Sequence, residues 1–581
     1  MERIETDVLI AGAGPAGLTA SALLAREGVP AITLSKYGTA NAPRAHITNQ
    51  RALEILRDIG IEDQVMQRAL PNRLMGKQVF ATTFSGRELS RIMSWGAGDD
   101  RIGDYRAASP CQMSNIAQHT LEPIMLARAR QLGADIRMQH EVMSVAQSPE
   151  HVTARVRPRD GSAEFEVVAR YAIGCDGART VVGRDGGFEF EGQEGLGDAV
   201  TVWIEADLTK YAAHRSGALF FTITPGSEDM VGVWTCVEPW TEWSTIFIRP
   251  AFTPNDLEEA SIARSIRAAI GDDSVTFKIK RISPWQFNQV VATNYRQGRL
   301  FIAGDAAHRH PPANGLGSNT SMQDAYNLAW KLALVLRGRA DDSLLDTYSE
   351  ERQPVGRQIV NRANTSAMDM LEWFTAIGLL PDMTSEQTEA RLSRVFGPGG
   401  SEIRDELLRS LELINDQFNA HGVELGQYYT SGAIVGDGTT PPPPRRDPVR
   451  YYEPRTCPGS PLPHAWLVSG KEDASTLDLC DYSGFTLITG ADGLAWRSAA
   501  ERVSRELGIE INAVEVSLGL ENNDVYGHWI ERREVADSGC VLVRPDRIVA
   551  WRSQGSVDDA TQTLSRVMRS LLHSPSTPAI I

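Results

Sequence analysis

Two stretches near the N-terminus hold residue types that do chemistry. The first is Gly12-Ala-Gly14-Pro15-Ala16-Gly17. At this spacing the first glycine permits a tight strand-to-helix turn, the second lets backbone approach a pyrophosphate, and the third lets helix and strand pack closely. The helix that Pro15 and Ala16 begin turns its free N–H groups and positive dipole end toward the phosphates. The second stretch is PRAHITNQRALE (43–54), which places one histidine, His46, a short way past that turn. An imidazole, with an ordinary pKa of about 6.5, suits general-base work but also serves as a plain polar group at a helix entrance. Which of these His46 is depends on what binds at the glycines.

The glycine turn alone leaves NAD, NADP and FAD open. The acid expected about twenty positions on, for ribose hydroxyls, is missing, and Ser35 and Lys36 stand there instead. Two strand-end acids narrow the choice: Asp176 in GCDG (174–177) and Asp305 in AGD (303–305). A nicotinamide dehydrogenase has no need of a second, distant acid of this kind, whereas a flavoprotein uses one to hold the ribityl chain of FAD.

These residues need a scaffold. DVLIA (7–11) is a short apolar strand, the small-residue stretch to about Arg26 a helix closed by Gly28, and AITL (31–34) a second strand, which together make a βαβ opening. YAIGCDG (171–177) and RLFIAGDAAH (299–308) read as further buried strands. A glycine-rich turn then leads into the helix SNTSMQDAYNLAWKLALVLRG, which Gly338 ends. Residues 186–285 carry alternating runs such as AVTVWIEADL, ALFFTITPG and MVGVWTCV, the pattern of an antiparallel sheet. Helical periodicity continues to about 420, and TTPPPPRRDP (439–448) is a stiff, proline-rich linker. Beyond it, strand FTLITG, helix AAERVSRELG, strand INAVEVSLG, hairpin GCVLVRPDRIVAWRS and a last helix suggest a thioredoxin-like fold. That domain lacks the redox dithiol, which leaves it a structural or dimer-contact role.

The expected class is α/β and α+β: a Rossmann-like FAD-binding domain, an inserted antiparallel-sheet substrate domain and a thioredoxin-like C-terminal domain. The expected divisions are 1–185 (with some substrate-sheet strands near 75–110), 186–285, 286–438, the 439–448 linker and 449–581. A formal charge of −16 argues against nucleic acid or an anionic membrane as partner. No apolar run reaches bilayer length, and the charged opening MERIETD does not read as a secretory signal. The six cysteines (111, 175, 236, 457, 480, 540) lie far apart, with no CxxC and no metal-type pairing, which suggests reduced thiols in cytoplasm.

The run GDAAHRHPPANGLGSNTSMQDAYNLAWKLALVL (304–336), with ETDVLIAGAGPAG (5–17), EADLTKY (205–211), SLLDTYSEERQPV (343–355) and STLDLC (475–480), resembles the single-component FAD aromatic hydroxylases of the p-hydroxybenzoate hydroxylase fold. The resemblance spans nearly the whole chain and implies non-covalent FAD, NADPH or NADH as a transient co-substrate, and O2. It implies ortho-hydroxylation of a substituted phenol, chlorinated or aryl, to a catechol by a flavin C4a-hydroperoxide. The alternatives are a polycyclic or polyketide phenol as substrate, or a non-catalytic flavoprotein. A homodimer or higher homo-oligomer is expected.

Carried onto this sequence, Gly12, Gly14, Pro15, Ala16 and Gly17 lie by the pyrophosphate. Arg44 and Gln118 brace the phosphates and ribityl, and Asp176 and Asp305 complete the site, which also takes in Ser35, Lys36 and Val142. Pro312 and the turn Gly315, Leu316, Gly317, Ser318 and Asn319 set backbone N–H groups against the flavin pyrimidine edge, where reduced flavin is negative and a helix N-terminus stabilises it. His46 takes the place of the residue that deprotonates the phenol; with a phenol pKa near 10, that transfer costs roughly 5 kcal/mol uncorrected. Trp203, Phe221, Trp234 and Pro312 are candidates for the substrate pocket, and His308 and His310 for structural roles beside the flavin loop. Two departures stand out: Asn115 replaces an aspartate, and TCVEPW (235–240) lacks an arginine found in relatives.

Overall fold

In the computed structural model, which describes residues 2–573 apart from 226, 228, 230, 250–251 and 380–382, the glycine turn lies at the carboxyl end of a strand inside a parallel sheet. Strand Glu2–Ala11 pairs in parallel with Phe165–Gly174 on one side and Ala31–Ser35 on the other. Leu300–Ile302 and Asp135–Met138 extend the sheet in the same direction. Val8, Leu9 and Ile10 are fully buried, so both faces of this parallel strand are covered by the rest of the protein. The register sets Ala11 beside Gly174 and Leu34, and Gly174 beside Ile302. The strand ends therefore share one edge. Gly12, Ser35, Asp176 and Asp305, each at or just beyond such an end, open into one crevice, the usual ligand position in sheets of this kind.

Glycine is dictated at two points of the turn. Gly12 has φ +102°, and a Cβ there would lie 2.1 Å from the Cys175 carbonyl oxygen; a Cβ at Gly17 would lie 2.0 Å from the Gly12 oxygen. The Pro15–Arg26 helix rests on the sheet, and beside it runs the Gly317–Leu336 helix, buried over most of its 20 residues.

The second sheet runs His308–Arg309, Phe277–Ala292, Phe190–Ala206, Glu242–Arg249, Val231–Glu238, Leu219–Ile223, Lys77–Ala81, Glu88–Met93. All its pairings are antiparallel but one, Leu219–Ile223 with Lys77–Ala81. It continues past position 285, to Ala292, because Val290 and Val291 pair with Arg309 and His308 and so tie the sheet to the loop after Asp305.

In the C-terminal domain, Phe485–Thr489 and Ile511–Ser517 pair in parallel with the Leu494–Leu507 helix between them. The Cys540–Val543 and Val549–Ser553 hairpin then adds antiparallel to Phe485–Thr489, before the final Ala560–Leu571 helix. This is the thioredoxin-like order, and all six cysteines are free thiols. The 439–448 segment is irregular, yet Arg446 pairs with Asp104 at 3.0 Å. The hairpin loop enters the first domain: Arg544 bridges Glu351 (2.5 Å) and Asp546, and Lys331 also reaches Glu351 (2.8 Å), all but fully shielded from solvent. Removing one member of such a group leaves an uncompensated buried charge, at a cost of roughly 3–5 kcal/mol. Among the described residues no helix is long and apolar enough to cross a membrane.

Candidate active site

His46 is set by three local devices. Ala45 turns the chain through φ +39°. Ile47–Thr48 forms a short antiparallel bridge with Ser114–Asn115, and Asn49 caps the Gln50–Ile59 helix by accepting from the Ala52 N–H. The ring is thereby held opposite Asn115, with Nδ1 3.1 Å from Asn115 Oδ1, and its Nε2 lies 3.2 Å from Thr235 Oγ1 on the substrate sheet. An amide oxygen only accepts, so Nδ1 carries the proton, and the Nε2 lone pair accepts from the threonine hydroxyl. Desolvation lowers the His46 pKa to about 4, only partly opposed by the Asn115 hydrogen bond. As a proton acceptor this ring is weaker than the sequence suggests, since a gap of about 6 units to an ordinary phenol makes direct transfer cost roughly 8 kcal/mol.

The cofactor crevice has two helix N-termini, those of Pro15–Arg26 and Gly317–Leu336, and neither receives a side-chain cap. Asn314 and Gly315 both have φ +65°, and this pair of left-handed residues exposes the start of the second helix. A Cβ at Gly304 would fall 2.7 Å from Ser321 Oγ and 3.5 Å from Ala16 Cβ, so the Asp305 loop is wedged between the first turns of both helices. Asp305 is solvent-accessible but walled in; desolvation raises its pKa, opposed by the charges of His308, Arg309 and Arg44. Asp176 Oδ2 accepts from the Val181 and Val182 N–H groups, and among the described residues its buried Oδ1 has no hydrogen-bond partner. Gln118 donates to Glu122 at 2.6 Å, and Glu122 also accepts from the Ala40 N–H and feels the Arg44 charge. Two uncapped helix starts, a glycine turn with no room for a Cβ at Gly12 or Gly17 and free room beside Gly14, and Arg44, Gln118, Asp176 and Asp305 around it fit FAD.

Other expected residues are spent differently. Lys36 is paired with Glu141 at 2.7 Å. Val142 is a core residue opposite Val156, whereas Ser35 ends its strand at the crevice edge. The Asn319 side chain accepts from the Asn49 N–H and donates to the Ile47 and Gly315 oxygens, so it ties the His46 segment to the Gly315–Ser318 turn and leaves only its backbone for a ligand. His308 is buried on Asp324 at 2.9 Å, which in turn holds Arg352. His310 Nδ1 donates to the Pro311 oxygen, and Pro312 is exposed at the rim.

On the substrate sheet the register places Trp203, Ser244, Thr235 and Leu219 in one row, and Thr201, Ile246, Val233, Phe221 and Phe80 in the next, all on the side facing His46. Trp203 donates to Glu242 at 2.7 Å and lies 5.2 Å from the His119 ring, at the crevice. Phe221 stacks on Phe80 at 4.6 Å. Trp234 does not belong to the pocket: it points to the opposite face, fully buried, donating to Thr222 and packed on Phe84 and Phe247. Thr235 and Glu122 escape the sequence reading. The i, i+4 spacing of Gln118 and Glu122 at a helix start is a signal that could have shown the second; Thr235 has none.

A Rossmann-like crevice roofed by an antiparallel sheet, with a histidine between them, defines an FAD-dependent hydroxylase. The family described as "FAD binding domain" matches residues 5–363, and "Aromatic-ring hydroxylase, C-terminal" matches 455–575. The chain is similar to 2,4-dichlorophenol 6-monooxygenase of Delftia acidovorans (42% identity; 97% of this chain, 98% of that one) and to phenol 2-monooxygenase of Pseudomonas sp. strain EST1001 (40%; 99% and 94%). Among solved structures it is similar to the flavin-dependent monooxygenase PieE in complex with FAD and substrate (43% identity, 99% and 100% covered, TM-score 0.94). The chain belongs to the single-component FAD-dependent aromatic-ring hydroxylases. It is a flavoprotein monooxygenase, with NAD(P)H and O2 as co-substrates.

Proposed function

We propose that this enzyme hydroxylates a substituted phenol ortho to its hydroxyl, giving a catechol, with His46 as the base that ends protonated when the phenol ionises. The observation that supports this most is the His46 ring itself, whose Nε2 lone pair is aimed at the substrate sheet while Nδ1–H is held by Asn115. Gly12, Gly14 and Gly17 with the first helix start would hold the FAD pyrophosphate; Arg44, Gln118, Asp176 and Asp305 would hold its ribityl and phosphates. The backbone from Gly315 to Asn319 would face the pyrimidine edge. Bound FAD, reduced by NAD(P)H and charged with O2, supplies an electrophilic oxygen. The protein's part is to make the ring electron-rich by removing the phenolic proton and to exclude water with the sheet.

A larger polycyclic phenol is the second reading. Thr201, Val233 and Ile246 stay half-exposed on the wall facing His46, and the fold is also similar to aklavinone-11 hydroxylase in complex with FAD and aklavinone (30% identity, TM-score 0.81). Six free thiols, all but Cys175 buried, fit a cytoplasmic setting, and the exposed Leu494, Leu518, Tyr526 and Ile530 fit a homodimer or higher homo-oligomer.

The test is a panel of phenols and polycyclic phenols, scored for stimulated NAD(P)H oxidation, catechol product and hydrogen peroxide. His46→Ala should keep FAD and its reduction by NAD(P)H, lose roughly 10²–10⁴ in hydroxylation, and release more peroxide. Equal losses for high- and low-pKa phenols, with no recovery at high pH, would remove His46 from the base role.

A further inference from the structure

The basic nitrogen of His46 is not open to the pocket, because Thr235 covers it. Nδ1 is engaged by Asn115, so a phenol must reach the base at Nε2, and Nε2 already accepts the Thr235 hydroxyl proton at 3.2 Å. Thr235 is firmly placed. Its backbone pairs with Leu219 and Ser244 in the middle of the sheet. The residue is 7% exposed, on the face shared with Trp203, Val233 and Phe221. Among the described residues Thr235 Oγ1 makes no hydrogen bond other than the one to His46. A hydroxyl has one proton to give and two lone pairs to accept with. The proton is committed to His46, which leaves the lone pairs for a donor from the pocket.

We propose that Thr235 is a second catalytic residue, whose hydroxyl accepts the substrate's phenolic proton while passing its own proton to His46 Nε2. This inference rests on the phenol reading above. The substrate O–H bond breaks and an O–H bond forms at Thr235 Oγ1; the original Oγ1–H bond breaks and an N–H bond forms at Nε2. The products are a phenolate, an intact threonine and an imidazolium whose Nδ1–H still donates to Asn115. No electrons change hands. The alternative, displacement of the threonine by the phenol, would leave the Thr235 hydroxyl without its only partner in a largely buried position, at a cost of about 1–3 kcal/mol.

The test uses the FAD-loaded full chain and three variants: Thr235→Val, which keeps the β-branched shape and removes the hydroxyl, Thr235→Ser, which restores it, and Thr235→Val combined with His46→Ala. The first readout is the pH midpoint at which a bound nitrophenol ionises, followed by its phenolate absorbance and independent of turnover. The second is the single-turnover hydroxylation rate of weakly and strongly acidic phenols. Thr235→Val should raise the ionisation midpoint and slow weakly acidic phenols by about 10². It should change KM by less than about threefold and spare phenols already ionised at the assay pH; Thr235→Ser should recover both readouts. In the His46→Ala background the valine should add little, because the relay would already have lost its acceptor. An unchanged midpoint and rate in Thr235→Val, or a loss equal for ionised and un-ionised phenols, would overturn the relay. If the wild-type enzyme binds no phenol and none stimulates NAD(P)H oxidation, the phenol reading itself has failed, and the relay falls with it.

Discussion

Replacing Asn115 by aspartate changes the charge opposite His46 and almost nothing of the shape. The Oδ1···Nδ1 contact is 3.1 Å, and Asn115 is 3% exposed, so little solvent screens a carboxylate placed there. An opposite charge at this range raises an imidazole pKa by about 1–3 units. Taking two, the His46 pKa would move from about 4 to about 6, and the transfer of a proton from a phenol of pKa near 10 would fall from roughly 8 to roughly 5 kcal/mol. Part of that gain goes into desolvating the new carboxylate, so the expected rise in hydroxylation rate is about 10- to 100-fold for phenols of pKa near 10. Phenols already ionised at neutral pH should gain nothing, and a small loss is expected because the new charge repels their anions. The assay is the single-turnover rate at constant pH across phenols of graded acidity, with and without the substitution. Log rate plotted against phenol pKa should flatten in Asn115→Asp, and the lower inflection of the kcat/KM pH profile should move up. A uniform change across the series, or an unmoved inflection, would refute the argument that the neutral amide limits the base.

Two further outcomes are expected. Asp305→Ala should weaken FAD binding by roughly 10- to 100-fold, the scale of one hydrogen bond to a charged group; titration of apoprotein with FAD at wild-type affinity would show that Asp305 does not hold the cofactor. Glu424 is buried with its pKa raised to about 7 by desolvation, whereas desolvation lowers buried His421 and His464 to about 3. Below about pH 6.5 the unfolded chain takes up histidine protons that the folded one refuses, so the histidines lose stability as pH falls. Glu424 works in the other sense, because between about pH 7 and 4.5 the folded state holds a proton that the unfolded state releases. Glu424→Gln should therefore deepen the fall in unfolding free energy from pH 7 to pH 5 by about 2 kcal/mol, measured by chemical denaturation at both pH values; parallel curves for the two proteins would contradict it.

The parts of this protein that the sequence makes legible are those where the backbone tolerates one residue type. Gly12 and Gly17 stand where a Cβ would strike carbonyl oxygens, so their spacing carries the cofactor turn with it. Asp176 and Asp305 follow strands whose ends the parallel register aligns, which is why acids 129 positions apart (305 minus 176) open on one crevice. The thioredoxin-like order is likewise a matter of element sequence, readable from apolar periods. Trp234 shows the limit. In a strand a single step of parity moves a side chain to the other face, and both faces of this sheet carry large apolar side chains, one with Phe84 and Phe247 and the other, toward His46, with Val233 and Phe221. Composition therefore cannot tell Trp234 from Val233 or Thr235.

The same limit applies to the base. That a histidine stands at position 46 is a local fact, but its strength is decided by Asn115 and Thr235, which lie 69 and 189 positions away and meet it only in the fold. Burial with a neutral amide instead of a carboxylate keeps the orientation of the ring and gives up the charge that would stabilise its protonated form. With its pKa near 4, His46 accepts a proton at a cost that grows with the pKa of the phenol. The burden of ionisation then shifts from the enzyme toward its substrate: phenols carrying electron-withdrawing groups should be turned over faster than ordinary phenols by the chain as it stands, and a carboxylate at position 115 should narrow that difference.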